Sequence, residues 1–174
     1  MTPEDGRAYV QDRLKEGVDY IKLMHESGAF IGAELNKPSI DLQKAVIDEA
    51  HKAGLKVVAH STCLDDAVEI LEAGADGMTH TIIDQLPNDR LIAACKKNNA
   101  HCNPTLSAMG SLTTEGQALQ EKFAHDPRVE HLMGELERGQ MCKCMGFSKD
   151  RGMKFENAIE SVRQFKAAGI DILW

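Results

Sequence analysis

The chain alternates between amphipathic stretches and short apolar runs. Four glycines, each at the end of an amphipathic stretch, precede four apolar runs: Gly17 before 18–23, Gly54 before 55–59, Gly74 before 75–78 and Gly169 before 170–174. Glycine at such a position is typical of a helix end, where the backbone takes a positive φ. The runs are too short for helices and indicate strands buried on both faces. The alternation therefore predicts βαβ units and a parallel sheet.

The same pattern predicts the bounds of the elements. We expect strands near 19–23, 56–60, 76–80, 101–105 and 170–174, and helices over 4–16, 40–53, 65–73, 87–98 and 156–168. Thr2, Pro3 and Asp5 predict a helix start, with a hydroxyl cap, proline at the first position and an acid in the first turn. The stretch 106–155 is expected to add one or two helices over one end of the sheet. No linker divides the chain, so residues 1–174 are expected to form one domain.

Composition narrows the class of protein. Apolar residues make up 43% of the chain and charged residues 27%, which is an ordinary globular balance. The net charge of −7 favours neither nucleic acid nor an anionic membrane as a partner. Five cysteines, an odd number, and a polar N-terminus argue against a secreted disulfide framework. Cys142 and Cys144 lack the spacing of a zinc ribbon. With no apolar run long enough for a bilayer, we expect a cytoplasmic protein.

Three polar residues lie where a buried parallel sheet should be apolar. Lys22, His60 and His80 each stand at or near the carboxyl end of a predicted strand. This is the end at which parallel α/β folds bind ligands. A buried ammonium costs several kcal/mol unless it is paired or neutralised. The three residues together therefore indicate a functional site.

The residues by themselves leave two chemistries and two architectures open. In the first chemistry, His60 and His80 bind a transition metal and Lys22 is modified, because a cationic lysine cannot be a ligand. In the second, Lys22 is the Schiff-base nucleophile of a lyase and the histidines transfer protons. Five parallel strands fit either a small open sheet or part of a closed barrel.

Four segments in this order resemble the amidohydrolase superfamily, in its imidazolonepropionase-like and prolidase-like branch. They are 18–24 (VDYIKLM), 50–60 (AHKAGLKVVAH), 73–80 (AGADGMTH) and 103–106 (NPTL). The resemblance covers nearly the whole chain and implies a partial (β/α)8 TIM barrel, from about strand 4 to strand 8, truncated at both ends. It also implies a C–N-cleaving hydrolase in which metal activates the water.

The resemblance assigns roles to the three residues. Lys22 matches the lysine that becomes a carboxylated, metal-bridging ligand, and His60 and His80 match the histidine ligands of the next two strands. The expected cofactor is Zn²⁺, with two divalent ions in the complete enzyme. The chain contains no His-x-His motif, which supplies further ligands in the family, and the family's catalytic aspartate would follow Trp174.

The expected substrate is a small amide or dipeptide-like molecule, with His25, Thr62 and Thr105 as candidates for contacting it. Two alternatives stay open beside the metal-dependent hydrolase. One is the Schiff-base lyase that uses Lys22, and the other is a catalytically inert truncated product. The sequence also leaves a homo-oligomer open.

Overall fold

The apolar runs form one parallel sheet. A computed structural model describes residues 1–145 and 152–173 of the chain. Its strands are β1 (Tyr20–Met24), β2 (Lys56–His60), β3 (Gly77–Thr79) and β4 (His101–Asn103). Each strand is parallel to the next one in sequence and hydrogen-bonded to it, which gives the order β1-β2-β3-β4. The predicted βαβ organisation is therefore confirmed.

Helices connect the strands and cover one face of the sheet. They are α1 (Pro3–Glu16), α2 (Ile40–Lys52), α3 (Leu64–Glu72), α4 (Asp89–Asn98), α5 (Leu106–Ser111), α6 (Thr114–Ala124), α7 (Glu135–Met141) and α8 (Phe155–Ala167), with 3₁₀ turns at Ala29–Ile31 and Glu130–Leu132. The five predicted helices match α1 to α4 and α8 to within two residues. The prediction of one or two helices over 106–155 was too low, because the described part of that stretch already contains α5, α6 and α7.

Local signals fix the helix ends. The Thr2 hydroxyl accepts a hydrogen bond from the Asp5 N–H at 3.3 Å, and the Asp5 carboxylate accepts one from the Thr2 N–H at 2.6 Å. This reciprocal pair is the predicted cap of α1. Gly17 and Gly169 follow α1 and α8 with φ of 76° and 78°, which favours glycine because it has no Cβ.

Several strands are shorter than predicted. The runs 76–80 and 101–105 each give only three strand residues, since His80 (φ 75°) and Thr105 (φ 48°) leave the extended conformation. The run 170–174 forms a single parallel bridge, Cys102 to Ile172, with Trp174 outside the described residues. The Cys102 N–H donates to the Asp171 carbonyl at 2.8 Å, and the Leu173 N–H donates to the Cys102 carbonyl at 2.9 Å.

The two faces of the sheet differ in burial. Ile21, Leu23, Val57 and Ala59 point toward the helices and are at most 9% exposed. Residues at the alternate positions form what we call the uncovered face: Tyr20, Lys22, Met24, Lys56, Val58 and His60, all exposed or half-buried. The expectation that these strands are buried on both faces was wrong, because no described element packs over the second face.

The sheet is open rather than closed on itself. Within residues 1–145 and 152–173, β1 pairs only with β2, so its other side is a free edge. A smaller apolar cluster forms beyond the main core, where Ile83 packs with residues of α5 and α8. Among the described residues, no helix is both long and apolar enough to cross a bilayer.

Candidate metal centre

Strand register brings Lys22 and His60 to one region of the uncovered face. Lys22 lies opposite Val58, and Met24 lies opposite His60. Residues that pair in a parallel ladder point to the same side of the sheet. Lys22 and His60 therefore lie on the same face, on neighbouring strands and two positions apart along the ladder. Lys22 is exposed and His60 is half-buried. Exposed and buried residues alternate along β1, so Lys22 is tolerated there without a buried charge.

His80 meets His60 at the carboxyl end of the sheet. The two ring centroids are 4.6 Å apart with an interplanar angle of 84°, an edge-to-face contact. His80 directly follows β3 and has a φ of 75°, which is uncommon for a residue other than glycine. Its N–H donates to the Asn103 carbonyl at 2.8 Å, and its Nδ1 lies 2.5 Å from the Thr105 hydroxyl. Backbone and side-chain contacts thus hold the ring in this position.

The surroundings of His80 keep its imidazole neutral. Burial lowers the pKa of His80 to about 4, and the charges of His60 and Lys22 act in the same direction. The carboxylate of Glu26 opposes them only in part. A neutral imidazole has the free lone pair that a metal ligand needs. The structure therefore brings Lys22, His60 and His80 within electrostatic reach of one another and keeps the His80 imidazole neutral.

Glu26 is a site residue that the sequence analysis missed. Its side chain is buried, and its Oε2 lies 3.6 Å from Nε2 of His60. Burial raises the pKa of Glu26, but hydrogen bonds from His60, Thr62 and the Gly28 N–H outweigh it, so the net pKa is lowered. The missed signal was alternation, because residues 22, 24 and 26 continue one side of β1 beyond Met24, its last residue.

The three candidate substrate contacts lie in different places. Thr105 touches His80 and is half-buried beside it. Thr62 is 2% exposed, and its N–H and hydroxyl both donate to Glu26, at 2.9 Å and 2.6 Å. His25 is fully buried on the helix-covered side. The expectation that His25 contacts a substrate at this site is therefore at odds with its position.

His25 belongs to a polar cluster between β1 and the helices, which Asp66 connects to Glu26. Its Nδ1 lies 2.6 Å from the Gln43 amide nitrogen, and its Nε2 lies 2.9 Å from Glu69. Lys37 completes the cluster, with Nζ at 2.8 Å from Asp66 and 2.6 Å from Glu69. The lysine lies between the two carboxylates and offsets part of their negative charge. This cluster fastens the segment before α2 to α3.

Comparison with known proteins places this geometry in a fold family. No protein-family model matches the chain, and no protein of curated function matches its sequence. A protein assigned as a prolidase from Bifidobacterium longum superposes with a TM-score of 0.66 at 25% identity, over 98% of this chain and 37% of that one. The chain has the fold of the prolidase-like amidohydrolases.

Two further structures give the same result. A Xaa-Pro dipeptidase with methionine bound in its active site matches 99% of this chain and 37% of its own, with a TM-score of 0.61 and 18% identity. A prolidase in complex with N-methylphosphonate-L-proline matches 95% and 35%, with a TM-score of 0.59 and 20% identity. The chain thus spans little more than a third of the length of these relatives. The expected partial barrel of the amidohydrolase type is confirmed.

Proposed function

We propose that the uncovered face carries part of a divalent-metal centre of a hydrolase that cleaves a C–N bond in a small amide or dipeptide-like substrate. Lys22, His60 and His80 would be its ligands. The observation that carries the proposal is their convergence at the carboxyl ends of adjacent strands, with His80 held neutral. This is the position at which (β/α) barrels bind ligands and perform chemistry.

The donor set fits such a centre in part. Two imidazoles in edge-to-face contact suit zinc or a similar divalent ion. Protonated Lys22 would repel a cation, so we propose that its amine reacts with CO₂, forms an N–C bond and releases a proton. The product is a carbamate, which is an anionic oxygen ligand. Catalytic zinc sites use three protein ligands and one open position, a number that these residues reach only after this modification.

The chain's own residues would position these ligands. Glu26 would orient His60 through its Nε2, and the Thr105 hydroxyl would orient His80 through Nδ1. Such outer contacts fix the tautomer and direction of a histidine ligand. A divalent ion at this position would polarise the scissile carbonyl and increase the acidity of water.

The relatives support the substrate class. One dipeptidase holds methionine and one prolidase holds a phosphonate analogue containing proline, and both are small polar molecules with an amino-acid part. Lys22 is exposed on the uncovered face, so a small molecule has access to it. We therefore propose dipeptides and N-acyl amino acids as the first substrates to test.

The lyase alternative receives less support from the structure. A Schiff-base lysine is usually activated by burial or by a neighbouring cation. Lys22 is exposed, so burial does not supply that activation in the described residues. Borohydride trapping with a carbonyl substrate would attach mass to Lys22 if the lyase chemistry operated. We expect no such adduct.

Two measurements on the full chain test the proposal. With ¹³C-bicarbonate and Zn²⁺, we expect a carbamate resonance that disappears in Lys22→Arg and remains in Lys97→Arg. With Zn²⁺, bicarbonate and a panel of Xaa-Pro dipeptides and N-acyl amino acids, we expect product by mass spectrometry. This turnover should be lost in His80→Ala and retained in His131→Ala, because His131 is exposed in the 3₁₀ turn Glu130–Leu132. Turnover that survives chelation or His80→Ala would contradict the proposal.

A further inference from the structure

A second group of metal-ligand side chains lies far along the chain from the first, at the ends of α6 and α7. Ligand atoms of Glu121, His125 and Cys142 all lie within 4.8 Å of one another. Glu121 and His125 are four residues apart, which places both on the same side of the α6 end. Cys142 immediately follows the last residue of α7. We call these three residues, together with the nearby Cys144, the α6–α7 cluster.

His125 has the contacts of a histidine that is ready to bind a metal. Its Nδ1 lies 3.1 Å from the Glu121 carbonyl oxygen and 3.6 Å from the Glu121 carboxylate. With a proton on Nδ1, this nitrogen donates to the carbonyl and Nε2 keeps a free lone pair. A backbone carbonyl that holds the second ring nitrogen is the usual arrangement around a histidine ligand.

The thiol of Cys142 is in a poor environment for a reactive thiolate. A hydrogen bond with Glu121, burial and the charge of Glu121 raise the pKa of Cys142, and the nearby Arg138 reverses this only in part. A nucleophilic or redox cysteine needs the opposite, a lowered pKa. A divalent cation placed between the thiol and the carboxylate would favour both anionic forms at once, because a coordinated thiol loses its proton.

Cys144 brings a second sulfur to the same helix end. Its thiol donates to the Gln120 side-chain oxygen at 3.0 Å, and Gln120 precedes Glu121 in α6. The three residues within 4.8 Å of one another offer one sulfur, one imidazole nitrogen and one carboxylate oxygen, and Cys144, which is not part of that group, adds a second sulfur at the same end of α6. Four donors of this kind match the tetrahedral preference and the ligand types of zinc.

The packing of α7 explains what a metal would do there. α7 has seven residues, none of them buried, and the turn before it, Glu130–Leu132, also buries none. A helix this short is marginal in water without tertiary packing. Small units with little apolar core are commonly held by a metal or a disulfide. A metal bridge from the end of α6 to the end of α7 would hold the helix by coordination instead.

We propose that the α6–α7 cluster is a structural zinc site that fastens α7 to α6, distinct from the centre on the uncovered face. Cys142, His125 and Glu121 are the primary ligands, and Cys144 is the fourth. The proposal does not depend on the hydrolase function, because it concerns different residues and a different part of the fold.

Cobalt substitution tests the site on the reduced full chain. Cysteine thiolates bound to Co²⁺ give a sulfur-to-metal charge-transfer band, which the ligands proposed on the uncovered face, two imidazoles and a carbamate, do not give. We expect this band at one Co²⁺ per chain, with displacement by Zn²⁺. Cys142→Ser should weaken the band, the Cys142→Ser, Cys144→Ser double variant should abolish it, and His125→Ala should weaken the metal affinity by at least about tenfold. His131→Ala, an exposed histidine near the cluster in sequence, should leave both unchanged.

Hydrogen exchange provides a second readout that is independent of any activity. We expect Zn²⁺, but not Mg²⁺, to slow exchange of the amides of Glu135–Met141, and Cys142→Ser to remove this effect. His80→Ala should leave it intact, which separates the two sites. The proposal is overturned if no charge-transfer band forms, if the band survives in the Cys142→Ser, Cys144→Ser double variant, or if Zn²⁺ leaves exchange in α7 unchanged.

Discussion

Replacing Glu26 with glutamine tests whether this buried carboxylate organises the edge of the proposed centre. The side chain is 5% exposed. Its Oε2 accepts from the Thr62 N–H at 2.9 Å and from the Thr62 hydroxyl at 2.6 Å, and its Oε1 accepts from the Gly28 N–H at 3.2 Å. Glutamine has the same shape but only one acceptor oxygen. One of these donors must then face an NH₂ group.

The size of the expected destabilisation follows from the hydrogen bonds that Glu26→Gln removes. The least costly orientation turns the glutamine oxygen toward Thr62 and leaves the Gly28 N–H without an acceptor, which costs about 1–3 kcal/mol. The two bonds from Thr62 also lose their charge assistance, at about 1 kcal/mol each. Relief of the buried charge offsets part of this loss. We therefore expect Glu26→Gln to lower the free energy of unfolding by about 2 kcal/mol.

Urea unfolding followed by far-ultraviolet circular dichroism, at pH 7 with a chelator present, measures this effect without a contribution from metal. The control is Glu34→Gln, which changes an exposed glutamate in the same β1–α2 connection. It should lie within about 0.5 kcal/mol of the wild type. A Glu26→Gln variant as stable as this control would refute the reasoning, because the carboxylate would then have no organising role.

Three further predictions concern the apolar core, the polar cluster around His25, and the contact of Thr105 with His80. Phe165→Ala, at a fully buried position, should cost about 3–5 kcal/mol in urea unfolding, whereas Phe123→Ala, 46% exposed, should cost far less. Hydrogen bonds from Lys37 and Ser27 outweigh burial and lower the pKa of Asp66 below 3.8. The stabilisation of the fold by ionised Asp66 is thus complete above that value and is lost as the pH falls through the pKa of Asp66 in the folded protein. Asp66→Asn should therefore flatten the fall in stability at acid pH, whereas Asp65→Asn should not. Thr105→Val should weaken Zn²⁺ binding by about tenfold in a competition titration, and an unchanged affinity would contradict its contact with His80.

The architecture was largely predictable because local signals agree with tertiary packing. The helix ends at Gly17 and Gly169, and the cap at Thr2, depend on neighbouring residues alone, so the sequence contains the whole signal. The strand ends at His80 and Thr105 were harder to predict. Their positive φ arises from contacts between separate strands, such as His80 with Thr105, which no local pattern reveals.

The site was predictable only as far as strand alternation reaches. Lys22 and His60 fall on one face because each lies within a strand of known register. Glu26 and His25 lie beyond the last strand residue, and both are buried: Glu26 bonds to Thr62, whereas His25 bonds to Gln43 and Glu69. Burial was overestimated for Lys22 because an apolar run does not show whether a second layer covers it.

X-ray absorption at the zinc edge tests the central claim, that His60 and His80 bind a metal with Lys22. The sample is the Cys142→Ser, Cys144→Ser variant loaded with Zn²⁺ in bicarbonate, which removes the thiolates of the α6–α7 cluster. The account predicts a nitrogen and oxygen shell with imidazole scattering that disappears in His60→Ala and in His80→Ala. Imidazole scattering that persists with both histidines removed would contradict it, because the metal would then lie elsewhere.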